Sequence, residues 1–166
     1  FYKDLISAYN GSPTLKAITD SYVRLIFGEG VKNERVKDLI DKEDLRRIVT
    51  DGESLGSAII QELYEGAGKA RKITRLAHFP REQVAPERMN EDGEILGYYY
   101  SQDWTKANQN PPQRIPAFGT SKEPIEFFEL KTYSAGRLYF TDPDFISALS
   151  YAFLEEEIQN FAVRHV

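Results

Sequence analysis

The two histidines, His78 and His165, are the first candidates for chemistry, because imidazole changes charge near neutral pH. They stand far apart in the sequence, on different predicted elements. A catalytic or metal-binding histidine needs convergent partners, and His78 is followed directly by Phe79 and Pro80 in a predicted strand. We therefore expect His78 to be a hydrogen-bonded structural residue, and we assign neither histidine a catalytic role.

The densest acidic group is Glu155-Glu156-Glu157, in a predicted C-terminal helix. Consecutive helix residues project about 100° apart, so these three carboxylates cannot converge on one ion. Because burying unpaired carboxylates is costly, we expect a solvated or subunit-contacting face. Asp142 and Asp144 stand at a predicted helix start, where capping of free backbone amides is enough to explain them.

Nucleotide and metal motifs are missing from the sequence. Gly28-Glu29-Gly30 begins like a dinucleotide fingerprint, but it follows a predicted helix and lacks the third glycine. There is no Gly-Lys-Ser/Thr phosphate loop, and with no cysteine a disulfide or thiolate metal site is impossible. The sequence therefore predicts a non-enzymatic protein with no cofactor, no metal and no nucleotide hydrolysis of its own.

The N-terminal part predicts helices. An apolar stripe covers residues 1–9, and Asn10-Gly11 closes it. Ser12 is a predicted N-cap for a second helix with Pro13 in its first turn and Gly28 past its end. Five apolar residues share one face of that helix: Leu15, Ile18, Tyr22, Leu25 and Ile26. The charged stretch 31–54 keeps helical spacing and predicts one or two exposed helices.

The middle of the chain predicts short strands. Segments 57–64 and 72–79 flank Gly66-Ala67-Gly68 and form a predicted hairpin, with Arg71, Lys72 and Arg75 on its solvated face. Asn90–Gly93 contains Asp-Gly, a tight-turn signal between a strand near Arg88 and a Tyr98-Tyr99-Tyr100 strand. The proline-containing stretch 101–120 is a predicted irregular excursion.

The last third predicts a strand and a long helix. Ile125, Phe127 and Leu130 indicate a strand, and Asp142-Pro143 indicates a helix that still continues at Val166. In that helix Leu149, Phe153 and Ile158 are expected to pack against strands that carry Phe127 and Tyr139. The predicted fold is one α+β domain: mainly helical over 1–56, strands and loops over 57–140, and helix over 141–166. An uncapped last helix and a first residue other than Met suggest part of a larger protein.

Composition limits the partners. A chain of 166 residues with 41% hydrophobic content fits one domain. The formal net charge of -5 argues against tight DNA binding, which depends on Lys and Arg neutralising phosphates. No run approaches the roughly 18 apolar residues that a membrane helix needs, so we expect no membrane association.

The order of elements in the last third resembles the portal proteins of tailed bacteriophages and prophages, most closely those of Bacteroidetes-type hosts. Family members share a strand, a glycine followed by Leu-Tyr, a proline-started helix, an Ala-Leu-x-Tyr motif and a Leu-Glu-Glu-Glu-Ile-like helix. The matching positions are Gly136, Leu138, Tyr139, Pro143, Ala148, Leu149, Tyr151, Leu154, Glu155, Glu156, Glu157 and Ile158. The similarity also covers 12–28 and 57–135, whereas 29–54 is less distinctive.

This resemblance implies the wing-like α/β body of a structural subunit. Such subunits assemble as a ring, usually of twelve, at a capsid vertex of the virion after synthesis in the host cytoplasm. The ring binds terminase, capsid and neck or tail proteins, and it passes double-stranded DNA without tight or sequence-specific binding. Aromatic residues and arginine are favoured at interface cores, so the candidate subunit interface is Tyr98, Tyr99, Tyr100, Trp104, Arg114, Arg137 and Tyr139.

Two other readings stay open. One is a small cytosolic adaptor domain that uses its aromatic loop to bind a protein. The other is a hydrolase with a carboxylate pair, which needs acidic residues that meet in space, and the sequence shows no spacing of that kind.

Overall fold

Helices lie at both ends of the chain, and two small sheets lie between them. The structure, a computed structural model, describes residues 1–164. Expectations for His165 and for a helix continuing to Val166 therefore lie outside the described residues. The helices are α1 (Tyr2–Gly11), α2 (Pro13–Phe27), α3 (Glu34–Lys37), α4 (Lys42–Leu55) and α5 (Leu149–Arg164). The strands are β1 (Ser57–Glu65), β2 (Lys72–Phe79), β3 (Val84–Pro86), β4 (Gly97–Tyr100), β5 (Gln113–Pro116) and β6 (Ile125–Lys131). The predicted α+β class, with antiparallel strands and a long C-terminal helix, is confirmed.

Helix α2 begins and ends where the sequence predicts. The amide of Leu15 donates to Ser12 Oγ at 3.1 Å, Pro13 occupies the first turn, and Gly28 ends the helix with φ of 47°. The face that packs inward is different from the predicted apolar stripe, since it carries Leu15, Thr19 and Val23. Helix α4 covers this inward side. The other four stripe residues are at least half exposed: Ile18, Tyr22, Leu25 and Ile26.

Helix α4 is less exposed than its charge suggested. Asp41 caps it by accepting the amide of Asp44 at 2.8 Å. One side of the helix buries Ile48 and Leu55 and packs on α1, α2, β1 and β2. The charged residues of 31–54 thus cover the outer side of a helix that joins the N-terminal helices to the first sheet.

Two three-stranded sheets form the centre of the fold. The first has strand order β2-β1-β6 and the second β3-β4-β5, and every strand pair is antiparallel. The predicted β1–β2 hairpin is confirmed, with Ile59 paired to Phe79. In the core, Ile59 and Phe127 of the first sheet pack with Val84, Tyr98 and Ile115 of the second, a cluster that Ala117 completes.

The stretch 101–120 is more regular than predicted. It contains a 3₁₀ turn at Trp104–Lys106 and the strand β5, which pairs with β4 from Gly97–Pro116 to Tyr100–Gln113. The prediction of an irregular excursion is therefore wrong for 113–116. Backbone pairing with β4 outweighs the two prolines that precede this strand, since a proline at a strand end leaves the central ladder intact.

The C-terminal helix begins later than predicted. Pro143 starts a turn, in which the Ile146 amide donates to the Pro143 carbonyl at 3.0 Å, and α5 itself begins at Leu149. The backbone of 141–143 lies against Gly56, the residue that ends α4 with φ of 80°. A Cβ at Gly56 would lie 2.6 Å from the Thr141 carbonyl oxygen, so this close approach needs a glycine.

Helix α5 packs on the N-terminal helices and not on the sheets. Ala152 joins Ala8 and Leu15 in a second core cluster, against which Leu149 and Phe153 pack. Ile158 is 60% exposed, and Tyr139 lies in irregular chain and not in a strand. The predicted packing of Leu149, Phe153 and Ile158 on strands is therefore wrong. Ala8 of α1 and Leu15 of α2 supply the apolar surface on which Ala152 packs.

Candidate functional site

The three consecutive tyrosines of β4 have three different environments. Tyr98 is only 5% exposed and packs beside Phe127 in the core, and burial raises its pKa. Tyr100 points to the same side and meets Phe79 edge to face at 5.1 Å. Tyr99 alternates to the opposite side of the strand. Tyr98 is therefore removed as a candidate interface residue, because its own chain buries it, whereas Tyr99 and Tyr100 stay half-exposed candidates.

Arg114 and Tyr99 both donate hydrogen bonds to Glu87 at the protein surface. The Arg114 guanidinium binds Glu87 through two nitrogens, with Nη2 to Oε2 at 2.7 Å and Nε to Oε1 at 3.1 Å. Tyr99 donates to the same carboxylate at 3.4 Å. The hydrogen bond from Arg114 holds the pKa of Glu87 below its usual range. Arg114 is 44% exposed, so one side of this pair still faces solvent.

Trp104 and Arg137 lie near Phe1, directly before α1, whereas Tyr139 contacts Met89. Trp104 is 39% exposed and lines a cavity of about 440 Å³ together with Phe1 and Phe140. Arg137 donates to Asp142 at 2.9 Å, and the Tyr139 hydroxyl accepts the amide of Met89 at 3.2 Å. These three candidates are accessible or partly accessible.

Asp142 and Asp144 do not cap a helix. The Asp142 carboxylate accepts a hydrogen bond from Arg137, and the Asp142 amide donates to the Ser134 hydroxyl at 3.2 Å. Asp144 is exposed and lies beside Glu53. The capping prediction is wrong, because α5 begins five residues after Asp144.

A fully buried arginine joins the two sheets. The Arg81 guanidinium donates to Ser57 Oγ, the Val84 carbonyl and Glu129 Oε1, each at 2.7 Å. The side chains of Arg81 and Glu129 are 0% and 1% exposed. The Tyr2 ring lies 4.8 Å from this guanidinium, and burial raises the pKa of Tyr2 to about 12 although Arg81 opposes the shift. All of these partners are internal, which makes the cluster a structural link.

A second buried cluster places two carboxylates opposite each other. Glu62 on β1 pairs in register with Glu126 on β6, and the two residues are 7% and 0% exposed. Glu126 accepts the Gly119 amide at 2.8 Å and the Arg71 guanidinium at 2.9 Å. Ser121 adds a hydrogen bond at 3.0 Å. Arg71 is thus mostly buried here, and its predicted place on the solvated face of the hairpin is wrong.

This pair is the carboxylate pair that the hydrolase alternative requires, and the sequence reasoning missed it. The signal was present, since Glu126 and Glu129 interrupt the aromatic strand that contains Phe127. Buried acids in a strand need cationic or amide partners. The partners here are fixed: Arg71 for Glu126 and the Tyr64 hydroxyl, at 2.9 Å, for Glu62. Nothing in the cluster is placed as a free nucleophile or general base.

His78 and the glutamates of α5 have structural partners. His78 Nε2 lies 2.8 Å from Asp51 Oδ2, as expected for a hydrogen-bonded residue. Glu155 accepts the hydroxyls of Ser12 and of Thr14, and these bonds, that of Ser12 first, lower its pKa. The Glu156 carboxylate covers Gly11. Glu155 therefore has partners within its own chain, Glu156 is partly buried and Glu157 is exposed. The expectation of a solvated or subunit-contacting face stays a prediction.

Exposed apolar residues are concentrated on two helices. On α2 they are Ile18, Tyr22, Leu25 and Ile26, exposed by 52–77%. On α5 they are Tyr151, Leu154, Ile158, Phe161 and Val163, exposed by 52–79%. Contiguous apolar surface of this kind marks interaction sites more often than scattered exposed residues do. These two faces are the strongest candidate functional surface, and the sequence analysis assigned neither of them to the interface.

Residues 1–164 contain no group of three or more His, Cys, Asp or Glu side chains that could hold a metal ion. Within the same residues, no helix has the length and apolar character needed to cross a bilayer.

Comparison with known proteins adds no relative. No protein-family model matches the chain, and no curated protein matches it at a significant level.

Proposed function

We propose that this chain is a structural, non-catalytic subunit of a phage portal, forming part of a homo-oligomeric ring at a capsid vertex. The observation that carries the proposal is the pair of exposed apolar faces on α2 and α5. Five of the α5 residues and four of the α2 residues are large, apolar and at least half exposed. Isolated subunits of an assembly expose such faces, which the neighbouring subunit then covers.

Three further features are consistent with this function. The acidic net charge of -5 suits a passage along which DNA must slide, because each phosphate-neutralising contact would retard it. Both buried carboxylate clusters are occupied by internal partners, which suits a structural role. The α+β architecture agrees with the body that the resemblance implies. In this proposal DNA, terminase and the neck or tail proteins are partners of the ring.

The mass of the full natural protein in solution tests the proposal. Multi-angle light scattering across micromolar concentrations is expected to give a closed oligomer, and negatively stained particles are expected to be rings. Leu25→Glu on α2 and Ile158→Glu on α5 are expected to shift the mass toward monomer. Leu130→Glu, at a residue 50% exposed on β6 and outside the candidate interface, is the matched control and is expected to leave the mass unchanged. A strictly monomeric or dimeric natural protein would contradict the proposal.

One observation favours the adaptor alternative. The cavity of about 440 Å³ beside Trp104 is lined by Phe1 and Phe140, a set of aromatic side chains that suits peptide binding. An adaptor would be monomeric, and a bound peptide would change the fluorescence of Trp104, which is the only tryptophan of the chain. A ring-forming protein whose Trp104→Ala variant still assembles would exclude a need for this cavity in assembly.

A further inference from the structure

The exposed face of α2 borders a groove with an acidic end. Ile18, Tyr22 and Leu25 stand three and four residues apart, so they form one stripe along the helix. Beside the first turns of the stripe a groove of about 290 Å³ opens between Leu15, Ile18 and Tyr22 on one side and Phe145 on the other. Glu53 and Asp144 also line it.

Among residues 1–164, no Lys or Arg side chain lines this groove. Within residues 1–164, neither Glu53 nor Asp144 forms a salt bridge. Burial raises the pKa of Glu53, and the neighbouring Asp144 charge raises it further. Two carboxylates in a partly apolar groove repel each other, and a cation placed between them would relieve this repulsion. The groove is therefore complementary to an apolar helix that carries a positive charge at one end.

Helix α5 of the same chain has this pattern. Leu154, Ile158 and Phe161 have the same spacing as Ile18, Tyr22 and Leu25, and they are 52%, 60% and 66% exposed. Arg164 follows one turn after Phe161 and is also exposed. The two stripes are equal in length, and on α5 the exposed cation follows the C-terminal end of the stripe.

We propose that α5 of one copy lies antiparallel along the α2 groove of a second copy. In this orientation Phe161 packs near Ile18 and Leu154 packs near Leu25, which brings Arg164 to Glu53 and Asp144. A parallel orientation would instead bring Tyr151 to this end of the groove and leave Arg164 beyond Leu25, away from the two carboxylates. The contact joins different faces of the two copies, and a heterologous contact of this kind generates a ring when the rotation between successive copies closes. The inference rests on the proposed function, because it names the subunit contact of that assembly.

Cysteine cross-linking tests the orientation directly, because the natural chain contains no cysteine. Two double variants at exposed positions are compared in the full natural protein. Leu25→Cys with Leu154→Cys reports the antiparallel contact, and Leu25→Cys with Phe161→Cys reports the parallel one. After mild oxidation, the antiparallel variant is expected to give at least about tenfold more disulfide-linked chains than the parallel variant or either single variant. Equal yields, or a higher yield from the parallel variant, would overturn the proposal.

Charge reversal gives an independent readout. Arg164→Glu is expected to weaken association by about tenfold, because it adds a third negative charge to the acidic end of the groove. Arg88→Glu is the matched control, since Arg88 is exposed and distant in sequence from both stripes. An unchanged association constant for Arg164→Glu would overturn the charge assignment.

The outcomes separate this inference from the proposed function. An oligomer that forms without antiparallel cross-links would refute the α5–α2 contact while the structural role stands. A protein with no oligomer at all would refute both.

Discussion

At the scale of single residues, two glutamates that face each other across β1 and β6 have pKa values shifted in opposite directions. Burial opposes ionisation of both carboxyls. For Glu126 the Gly119 amide, the Ser121 hydroxyl and Arg71 outweigh burial and lower its pKa. For Glu62 burial prevails, and the neighbouring Glu126 charge adds to it, so its pKa is raised. The pair is therefore stable because only one member carries a firmly held charge.

Replacement of each glutamate is expected to have a different effect on stability. A lowered pKa means that ionised Glu126 stabilises the fold above its unfolded pKa of about 4.3, and this stabilisation is lost as pH falls through the lower folded pKa. Glu126→Gln is expected to cost about 1–3 kcal/mol at pH 7, since the hydrogen bonds to charge are weakened. It should also flatten the decline in stability between about pH 5 and pH 3.

Glu62→Gln is the matched control, because the raised pKa of Glu62 has the opposite sign. Its ionisation opposes folding as pH rises above the ordinary value, so the amide is expected to be neutral or slightly stabilising at pH 7. Urea denaturation of both variants at several pH values measures the two effects. A larger loss for Glu62→Gln than for Glu126→Gln at pH 7 would contradict the assignment.

At the scale of elements, the end of α4 fixes where the C-terminal region begins. Gly56 ends the helix in a left-handed conformation, and the backbone of 141–143 lies directly on it. This contact holds the chain in a turn at Pro143 and delays α5 until Leu149. The contact at Gly56 therefore joins the end of α4, just before β1, to the segment that leads into α5.

Two glycines four residues apart in this region are expected to respond oppositely to alanine. Gly56→Ala places a Cβ 2.6 Å from the Thr141 carbonyl oxygen at a residue with positive φ. It is therefore expected to lower the free energy of unfolding by at least about 2 kcal/mol. Gly52 lies inside α4 with nothing within 4 Å of its would-be Cβ. Gly52→Ala is expected to stabilise the protein by about 0.5–1 kcal/mol. Thermal or urea denaturation measures both, and destabilisation by Gly52→Ala would contradict this account.

The sequence predicted the elements whose signals are local. Ser12 and Pro13 define the start of α2, and the Gly66-Ala67-Gly68 turn defines the β1–β2 hairpin. What depends on distant chain could not be predicted. The later start of α5 requires the Gly56 contact, and the burial of Tyr98 requires knowledge of which side of β4 faces Phe127.

The candidate surface was harder to predict than the fold. The apolar stripe of α2 was recognised, but its exposure depends on α4 covering the opposite side. Residue type alone, the preference of interfaces for aromatics and arginine, predicts an interface role for Tyr98. Tyr98 is instead buried in the core. The acidic pairs Glu62–Glu126 and Glu53–Asp144 each join residues from separate elements, so no spacing along the chain shows them.

At the scale of the whole molecule, the acidic net charge weighs against nucleic-acid binding. The chain has 21 basic and 26 acidic residues. Arg71 and Arg81 are paired internally with Glu126 and Glu129, whereas most other Lys and Arg side chains are exposed. Exposed apolar residues are concentrated on α2 and α5. The molecule is therefore better suited to contact protein than to hold nucleic acid.

Duplex DNA is expected to bind weakly and without sequence preference. In fluorescence anisotropy with a labelled duplex, binding is expected to be no tighter than about 10 µM at physiological salt. Any binding at about 50 mM salt should disappear by about 200 mM, because it depends on released counterions. A second duplex of unrelated sequence is the control and should behave identically. Tight binding that resists salt would contradict a passage through which DNA slides.

The pairing of β1 with β6 has a consequence for synthesis of the protein. Ser57 pairs with Lys131 and Leu63 with Ile125, so the central strand of the first sheet meets its second neighbour only after all the intervening chain has been made. The β1–β2 hairpin can form early, but loop closure to β6 is entropically slow. During translation the free edge of β1 remains open to pairing with other nascent chains until Lys131 has left the ribosome.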